Sequence, residues 1–355
     1  MNGATQGGID CDLHPAAPTV TDLLPYLEPL WRDMIARRGI DAPASIAYPA
    51  AAPISVRPDW RPADKSAAAT FPRLRAEALD AFGTRLGICN CLIGVPLLFG
   101  EDMAAAFARA TNDWIAREWL DREPRLRASI VVPVQNPGLA AAEIDRCAAD
   151  RRFVQVLLPA NGELPLGRRA HWPIYEAAVR HGLPVGIHAG SAYRHPVTNV
   201  GWPSYYAEDY ASHATSFQSQ LLSLVAEGVF AKFPSLCVVL IESGFTWLPA
   251  FVWRLEKFWR GLRMEVPWVS RPPGEIVREH VRLTLQPIDA PDPATLARVV
   301  EQLGSDRLLL FSTDYPHWQF EGAAALPEGL APGLARRILV DNAIETYPRL
   351  MEDGP

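Results

Sequence analysis

Gly8-Ile9-Asp10-Cys11-Asp12-Leu13-His14-Pro15 is the first stretch of the chain that reads as a strand. Side chains in a strand repeat with period two, so Asp10, Asp12 and His14 fall on one face of Ile9–His14. Two carboxylates and an imidazole on a buried face need a compensating charge, and a divalent metal is the commonest one. A polar edge strand is the competing reading, and the octapeptide alone does not choose between them.

Outward from this stretch the chain alternates. Strand patterns fall at Leu86–Ile93, Arg127–Val134, Phe153–Leu158, Pro184–His188, Leu236–Glu242, Val281–Leu285 and Leu308–Ser312. Between them lie helical patterns at Arg73–Phe82, Glu101–Leu120, Leu139–Asp150, Trp172–His181, Thr215–Phe230, Trp247–Trp259 and Pro293–Leu303, with a last one at Leu334–Tyr347. Strands this short and apolar are buried on both faces, which requires a parallel sheet. Eight strand–helix units predict an α/β fold of the (β/α)8 TIM-barrel type. No Gly-rich phosphate loop follows a strand, which counts against nucleotide binding. Residues 15–72 are rich in proline and alanine, with one helical pattern near Leu23–Arg38 and too little periodicity for a core of their own. They are expected to form an excursion over the site within a single domain spanning residues 1–355.

Composition narrows the function. With 355 residues, 49% of them hydrophobic and 21% charged, the chain is well cored, and its net charge of -6 argues against nucleic acid or an anionic membrane as partner. Five cysteines fit a reducing compartment, Cys89 and Cys91 reading as packing residues. Met1–Gly8 has no signal-peptide pattern and no apolar run reaches membrane-spanning length, so a cytoplasmic location is expected.

In a parallel barrel the functional groups stand just beyond the carboxyl ends of the strands. There the sequence places Asp12 and His14 on the first strand, His188 on the fifth, Glu242 on the sixth and Asp314 on the eighth. Each alone has a structural explanation. Together, on four strands at one depth, they point to a metal site over a structural polar cluster. The segment after His188 carries Arg194, His195, Trp202, Tyr205 and Tyr206, suited to a flat or carboxylated organic substrate or, equally, to packing on its own barrel or a second subunit. His213 is a further candidate for substrate contact, and His317, close to Asp314, for contact with substrate or ligands. His171, His181 and His280 read as structural.

Asp-x-His on the first strand, His188, an acid on the sixth strand and Thr313-Asp314-Tyr315-Pro316 on the eighth resemble the amidohydrolase superfamily, more narrowly its amidohydrolase-2 branch, which includes aminocarboxymuconate semialdehyde decarboxylase. The most specific match is Glu227–Pro249, with Gly228-Val229-Phe230-Ala231-Lys232-Phe233-Pro234 followed by Glu242-Ser243-Gly244 and Trp247-Leu248-Pro249. The resemblance implies Asp12, His14, His188 and Asp314 as metal ligands. It departs at Asp12, where the usual residue is histidine, and at Glu242, where the decarboxylases carry a histidine that handles a proton. A carboxylate in place of an imidazole makes the ion a weaker Lewis acid and brings manganese beside zinc as the expected metal. Two-metal relatives use a carbamylated lysine at a strand end; the only lysines are Lys65, Lys232 and Lys257, none so placed, which favours one divalent ion.

The leading expectation is a metal-dependent hydrolase of a small cyclic or aromatic amide, lactone or carboxylate. Asp314 would accept the proton of a metal-activated water and Glu242 or His317 would assist the leaving group. The alternative is a non-oxidative decarboxylase of an aromatic or muconate-type acid on the same metal site, and the third a catalytically silent binding barrel. A small-molecule substrate and a homodimer complete the expectations.

Overall fold

Proline and the strand–helix alternation set most element boundaries in the computed structural model, which describes residues 7–39, 55–64, 67–191, 196–198, 200–320, 326–328 and 330–351. The strands are β1 (Ile9–Leu13), β2 (Leu86–Cys89), β3 (Leu126–Val131), β4 (Phe153–Asn161), β5 (Val185–Ser191), β6 (Val238–Ile241), β7 (Val281–Thr284) and β8 (Leu309–Leu310). All are parallel and paired in sequence order. The ring closes between its ends: the Cys11 N–H donates to Phe311 O and the His14 N–H to Tyr315 O, at 2.9 and 2.8 Å. A parallel bridge joins Leu13 to Tyr315. The fold is therefore the expected TIM-type barrel.

Two apolar clusters divide the core. The larger packs outward-facing strand residues such as Leu13, Ile130, Ile187 and Leu240 against the surrounding helices. The smaller takes Ile9, Cys11, Ile88, Val154, Val239, Ile241 and Leu310 from alternate regions of the ring and closes on Tyr347 and Leu350 of the C-terminal segment, so it fills the barrel's interior. The five cysteines are free, and Cys89 and Cys91 are buried. Among the described residues no helix is long and apolar enough to cross a membrane.

Three of the differences from the sequence reading concern the site and its surroundings. The pattern Leu23–Arg38 divides into helices Val20–Leu23 and Pro29–Arg38, because Pro29 lacks an N–H and serves as a first-turn residue. Strand β2 stops at Cys89 rather than Ile93, since Asn90 turns its side chain to a polar partner on β1. The helix expected from Thr215 begins at Tyr206 and runs to Ala226. Its start is set by Glu208, whose carboxylate accepts the N–H groups of Ser204 and Tyr205 at 2.9 and 2.8 Å. The described parts of the 15–72 excursion return to the barrel: Ala16 N–H donates to Ala69 O, and Arg57 and Trp318 exchange backbone bonds with Pro316 and Ser55.

Gly186 on β5 shows how tightly the interior is filled, because a Cβ there would lie 2.6 Å from Gln155 Cδ and 2.7 Å from Ile241 Cδ1. Gly186→Ala is expected to cost about 1–3 kcal/mol of stability through overpacking, read as a lower denaturation midpoint at unchanged m-value.

Candidate active site

Four strand ends deliver one cluster. His14 Nε2 lies 3.2 Å from Asp12 Oδ1 and 2.9 Å from Asp314 Oδ1. His188 Nε2 lies 3.5 Å from Asp12 Oδ1 and 3.6 Å from Glu242 Oε2. The His14 and His188 rings meet edge to face at 5.0 Å, and His317 stacks on His14 at 4.5 Å while its Nδ1 bonds Asp314 Oδ1 at 2.8 Å. Asp12, His14, His188, Glu242 and Asp314 are all buried. Glu242 and Asp314 have positive φ values of 57° and 55°, a conformation that a non-glycine residue keeps only where its surroundings impose it.

Both imidazoles turn Nδ1 to a backbone carbonyl, His14 to Asn90 O at 3.3 Å and His188 to Ala189 O at 2.7 Å. A neutral ring that donates from Nδ1 presents a bare lone pair at Nε2, and here both lone pairs face carboxylate oxygens. Such an arrangement calls for positive charge between them. The electrostatics express the same demand. Burial opposes a charged imidazole, yet the Asp12 carboxylate overrides it and raises the pKa of His14 well above its ordinary value, with that of His188 raised as well. Burial likewise opposes ionisation of Asp12, but His14 and His188 hold its pKa well below the carboxylate range. Glu242 is shifted the other way, raised by burial and by the neighbouring Asp314 charge. Asp12 Oδ2, His188 Nε2 and Asp314 Oδ2 are buried atoms without a hydrogen-bond partner. Asp12, His14 and His188 form one group that could hold a metal ion, and His14, Glu242, Asp314 and His317 form another. The donor set of carboxylates and imidazoles suits a divalent ion of intermediate hardness.

Asp10 does not join them. Its carboxylate accepts the N–H groups of Asp12 and Thr313, both at 3.1 Å, and the Thr313 hydroxyl at 2.6 Å. Burial raises its pKa to about 7. It ties β1 to the segment after β8.

Three members of the cluster, His14, Glu242 and His317, line a cavity of about 320 Å³. One wall is built by Ala16, Ala17, Val56 and Ala67–Ala69 of the excursion, the opposite one by Tyr206, Asp209, Tyr210 and His213. The early start of the helix explains the second wall, because Tyr206, Tyr210 and His213 stand at i, i+4 and i+7 on one face. Of the residues expected to meet substrate, Tyr206 and His213 therefore reach the cavity. Trp202 and Tyr205 stay at the surface, 47% and 73% exposed, outside its lining. Arg194 and His195 lie outside the described residues. His181 pairs with Asp145, and His280 bonds Leu236 O, away from the site.

Three site residues escaped the sequence reading. Tyr210 donates its hydroxyl to Glu242 Oε1 at 3.2 Å, and Gln319 Nε2 donates to the same oxygen at 2.9 Å. Asn90 Nδ2 donates to Asp12 Oδ1 at 2.8 Å. The spacing of Tyr206, Tyr210 and His213 carried the signal for Tyr210, and an asparagine directly after an apolar strand carried that for Asn90.

The amidohydrolase family model matches residues 9–349. The chain belongs to this family. Among its relatives, the γ-resorcylate decarboxylase of Polaromonas sp. is 26% identical over 287 residues, 72% of this chain and 82% of that protein. Two solved structures share the fold. The dihydroxybenzoic acid decarboxylase of Polaromonas sp., with bound manganese and 2-nitroresorcinol, superposes with a TM-score of 0.64 at 22% identity, covering 97% of each chain. The 5-carboxyvanillate decarboxylase of Sphingomonas paucimobilis does so with a TM-score of 0.69 at 20% identity, covering 97% of this chain and 99% of that one. This amidohydrolase-family enzyme thus has decarboxylases among its relatives, and they favour the second of the two catalytic expectations over hydrolysis.

Adding Mn2+ to chelator-treated protein is expected to raise the thermal midpoint, since an ion at 100 times its Kd stabilises the native state by about 2.7 kcal/mol. His188→Ala should remove most of that gain, as read by calorimetry.

Proposed function

We propose that the protein catalyses non-oxidative decarboxylation of a hydroxylated aromatic acid at one divalent ion, manganese or zinc, held by Asp12, His14, His188 and Asp314. The observation that carries the metal is the meeting of Asp12 Oδ1 and Asp314 Oδ1 with the Nε2 atoms of two imidazoles oriented through Nδ1, at 3.2 and 2.9 Å from His14 and 3.5 Å from His188 to Asp12, with Asp12 Oδ2, His188 Nε2 and Asp314 Oδ2 buried without a hydrogen-bond partner. Support for decarboxylation over hydrolysis comes from the relatives, named for γ-resorcylate and 5-carboxyvanillate. The cavity, lined by Ala16, Ala17, Ala67–Ala69, Tyr206 and Tyr210, has the size for a single substituted ring.

When bound, the ion supplies Lewis acidity that fixes the oxygens of the substrate. The chain's own residues do the rest. In the reaction the bond from the ring to the carboxylate breaks, carbon dioxide leaves, and the electron pair left on the ring carbon takes up a proton. Glu242 is the acid placed to deliver it: Tyr210 and Gln319 occupy Oε1, leaving Oε2 on the side of His188. His317, bonded to Asp314 and stacked on His14, keeps that carboxylate turned to the cluster. Tyr206 and His213 hold the ring from the helix side, and the described parts of the 15–72 excursion, through Ala16, Ala17, Val56 and Ala67–Ala69, enclose it within one domain.

Purified enzyme with Mn2+ is expected to release carbon dioxide and the matching phenol from 2,6-dihydroxybenzoate or a 5-carboxyvanillate-type acid. Chelation should abolish turnover and Mn2+ restore it. Glu242→Gln should lower kcat by about 10²-fold or more while retaining bound Mn2+. Release of no carbon dioxide across such a panel, with hydrolysis of amides or lactones instead, would overturn the assignment.

A further inference from the structure

A row of polar side chains crosses the otherwise apolar interior of the barrel and ends on Asp12. Asn90 Nδ2 lies 2.8 Å from Asp12 Oδ1, and Ser129 Oγ lies 2.6 Å from Asn90 Oδ1. Gln155 Nε2 lies 2.8 Å from Ser129 Oγ and also 3.3 Å from Asn90 Oδ1, and the Tyr347 hydroxyl lies 3.0 Å from Gln155 Oε1. All five side chains belong to residues with no exposure to solvent. They come from β1, the residue after β2, β3, β4 and the C-terminal segment, so the row spans the barrel from its closed end to its functional mouth.

Its direction is fixed by chemistry. An ionised carboxylate only accepts, so Asn90 must turn its amide nitrogen to Asp12 and its oxygen to Ser129. Ser129 then has to donate to Asn90 and accept from Gln155. Gln155 in turn has only its oxygen for Tyr347, which therefore donates. Each donor in the row points toward Asp12, and bonds aligned this way polarise one another in a medium of low dielectric. Burial pushes the Tyr347 phenol pKa well above its ordinary value, so the far end keeps its proton. The row engages Oδ1 of Asp12 and leaves Oδ2 without a partner.

We infer that Tyr347, Gln155, Ser129 and Asn90 act as one positioning relay that orients Asp12 and sets how tightly its carboxylate takes a metal ion. This rests on the metal reading above. Four residues outside the cavity lining thereby control the affinity of the centre, with Tyr347 acting from the opposite end of the barrel. Nothing in the relay touches substrate.

The test measures the Mn2+ dissociation constant of full-length protein by competition with a chelator, in parallel with thermal unfolding of the metal-free form. Asn90→Ala is expected to weaken Mn2+ binding by about tenfold or more. Ser129→Ala should weaken it less, and Tyr347→Phe, which removes a single oxygen and preserves the packing shape, least but in the same direction. Because Gln155 stands between Tyr347 and both Ser129 and Asn90, the relay also requires that the double variant Gln155→Ala/Tyr347→Phe bind Mn2+ as Gln155→Ala does alone. Additive losses in the double variant, or an unchanged dissociation constant in Tyr347→Phe and Ser129→Ala, would overturn it. Wild-type protein that takes up no Mn2+ would instead overturn the metal reading on which it stands.

Discussion

The seam between β1 and β8 is the constraint on which the site depends. These strands come from opposite ends of the chain, and Asp12, His14 and Asp314 share a cluster only because the ring closes there, through Cys11 to Phe311 and His14 to Tyr315. Backbone bonds alone would leave the register of so short a strand as β8 weakly specified. Asp10 supplies the side-chain fastening, gathering two backbone donors and a hydroxyl on one buried carboxylate. The deeper acid of the first strand, which the sequence reads as support and not as a ligand, thus helps bring the ligands together.

Closure then concentrates charge. Buried carboxylates and imidazoles are each costly when unpaired, and the cluster answers this only in part, by pairing them with one another. The surrounding hydrogen bonds are arranged with the remainder in view. Carbonyls of Asn90 and Ala189 hold two imidazoles by the same nitrogen, and donors from Asn90, Tyr210 and Gln319 cover one oxygen each of Asp12 and Glu242. Asp12 Oδ2, His188 Nε2 and Asp314 Oδ2 stay buried without a hydrogen-bond partner. Rigid strand ends hold this geometry while the excursion and the helix starting at Tyr206 shape the space above it.

Much of this was legible in the chain. Alternating apolar strands and amphipathic helices state the barrel directly, because burial on both faces leaves strands no other pattern. Strand-end polarity exposed Asp12, His14, His188, Glu242 and Asp314, whose position follows from topology. Residues that depend on contacts between distant elements were hidden. Ser129, Gln155 and Tyr347 read as ordinary strand and helix-end residues until the interior brings them into line, and Asn90 was absorbed into a strand that ends before it. Trp202 and Tyr205 illustrate the converse: aromatic composition suggested binding, but the turn ahead of the helix leaves them facing solvent.

The left-handed backbone at Glu242 and Asp314 also limits what evolution can write at those two positions. Asn, Asp and His tolerate that conformation better than most residues, and β-branched side chains scarcely enter it. Polar groups that bind metal or move protons are therefore the residues the backbone itself admits. An exchange of carboxylate for imidazole at position 242 needs no change in the path of the chain. Chemistry can drift there while the barrel stays still.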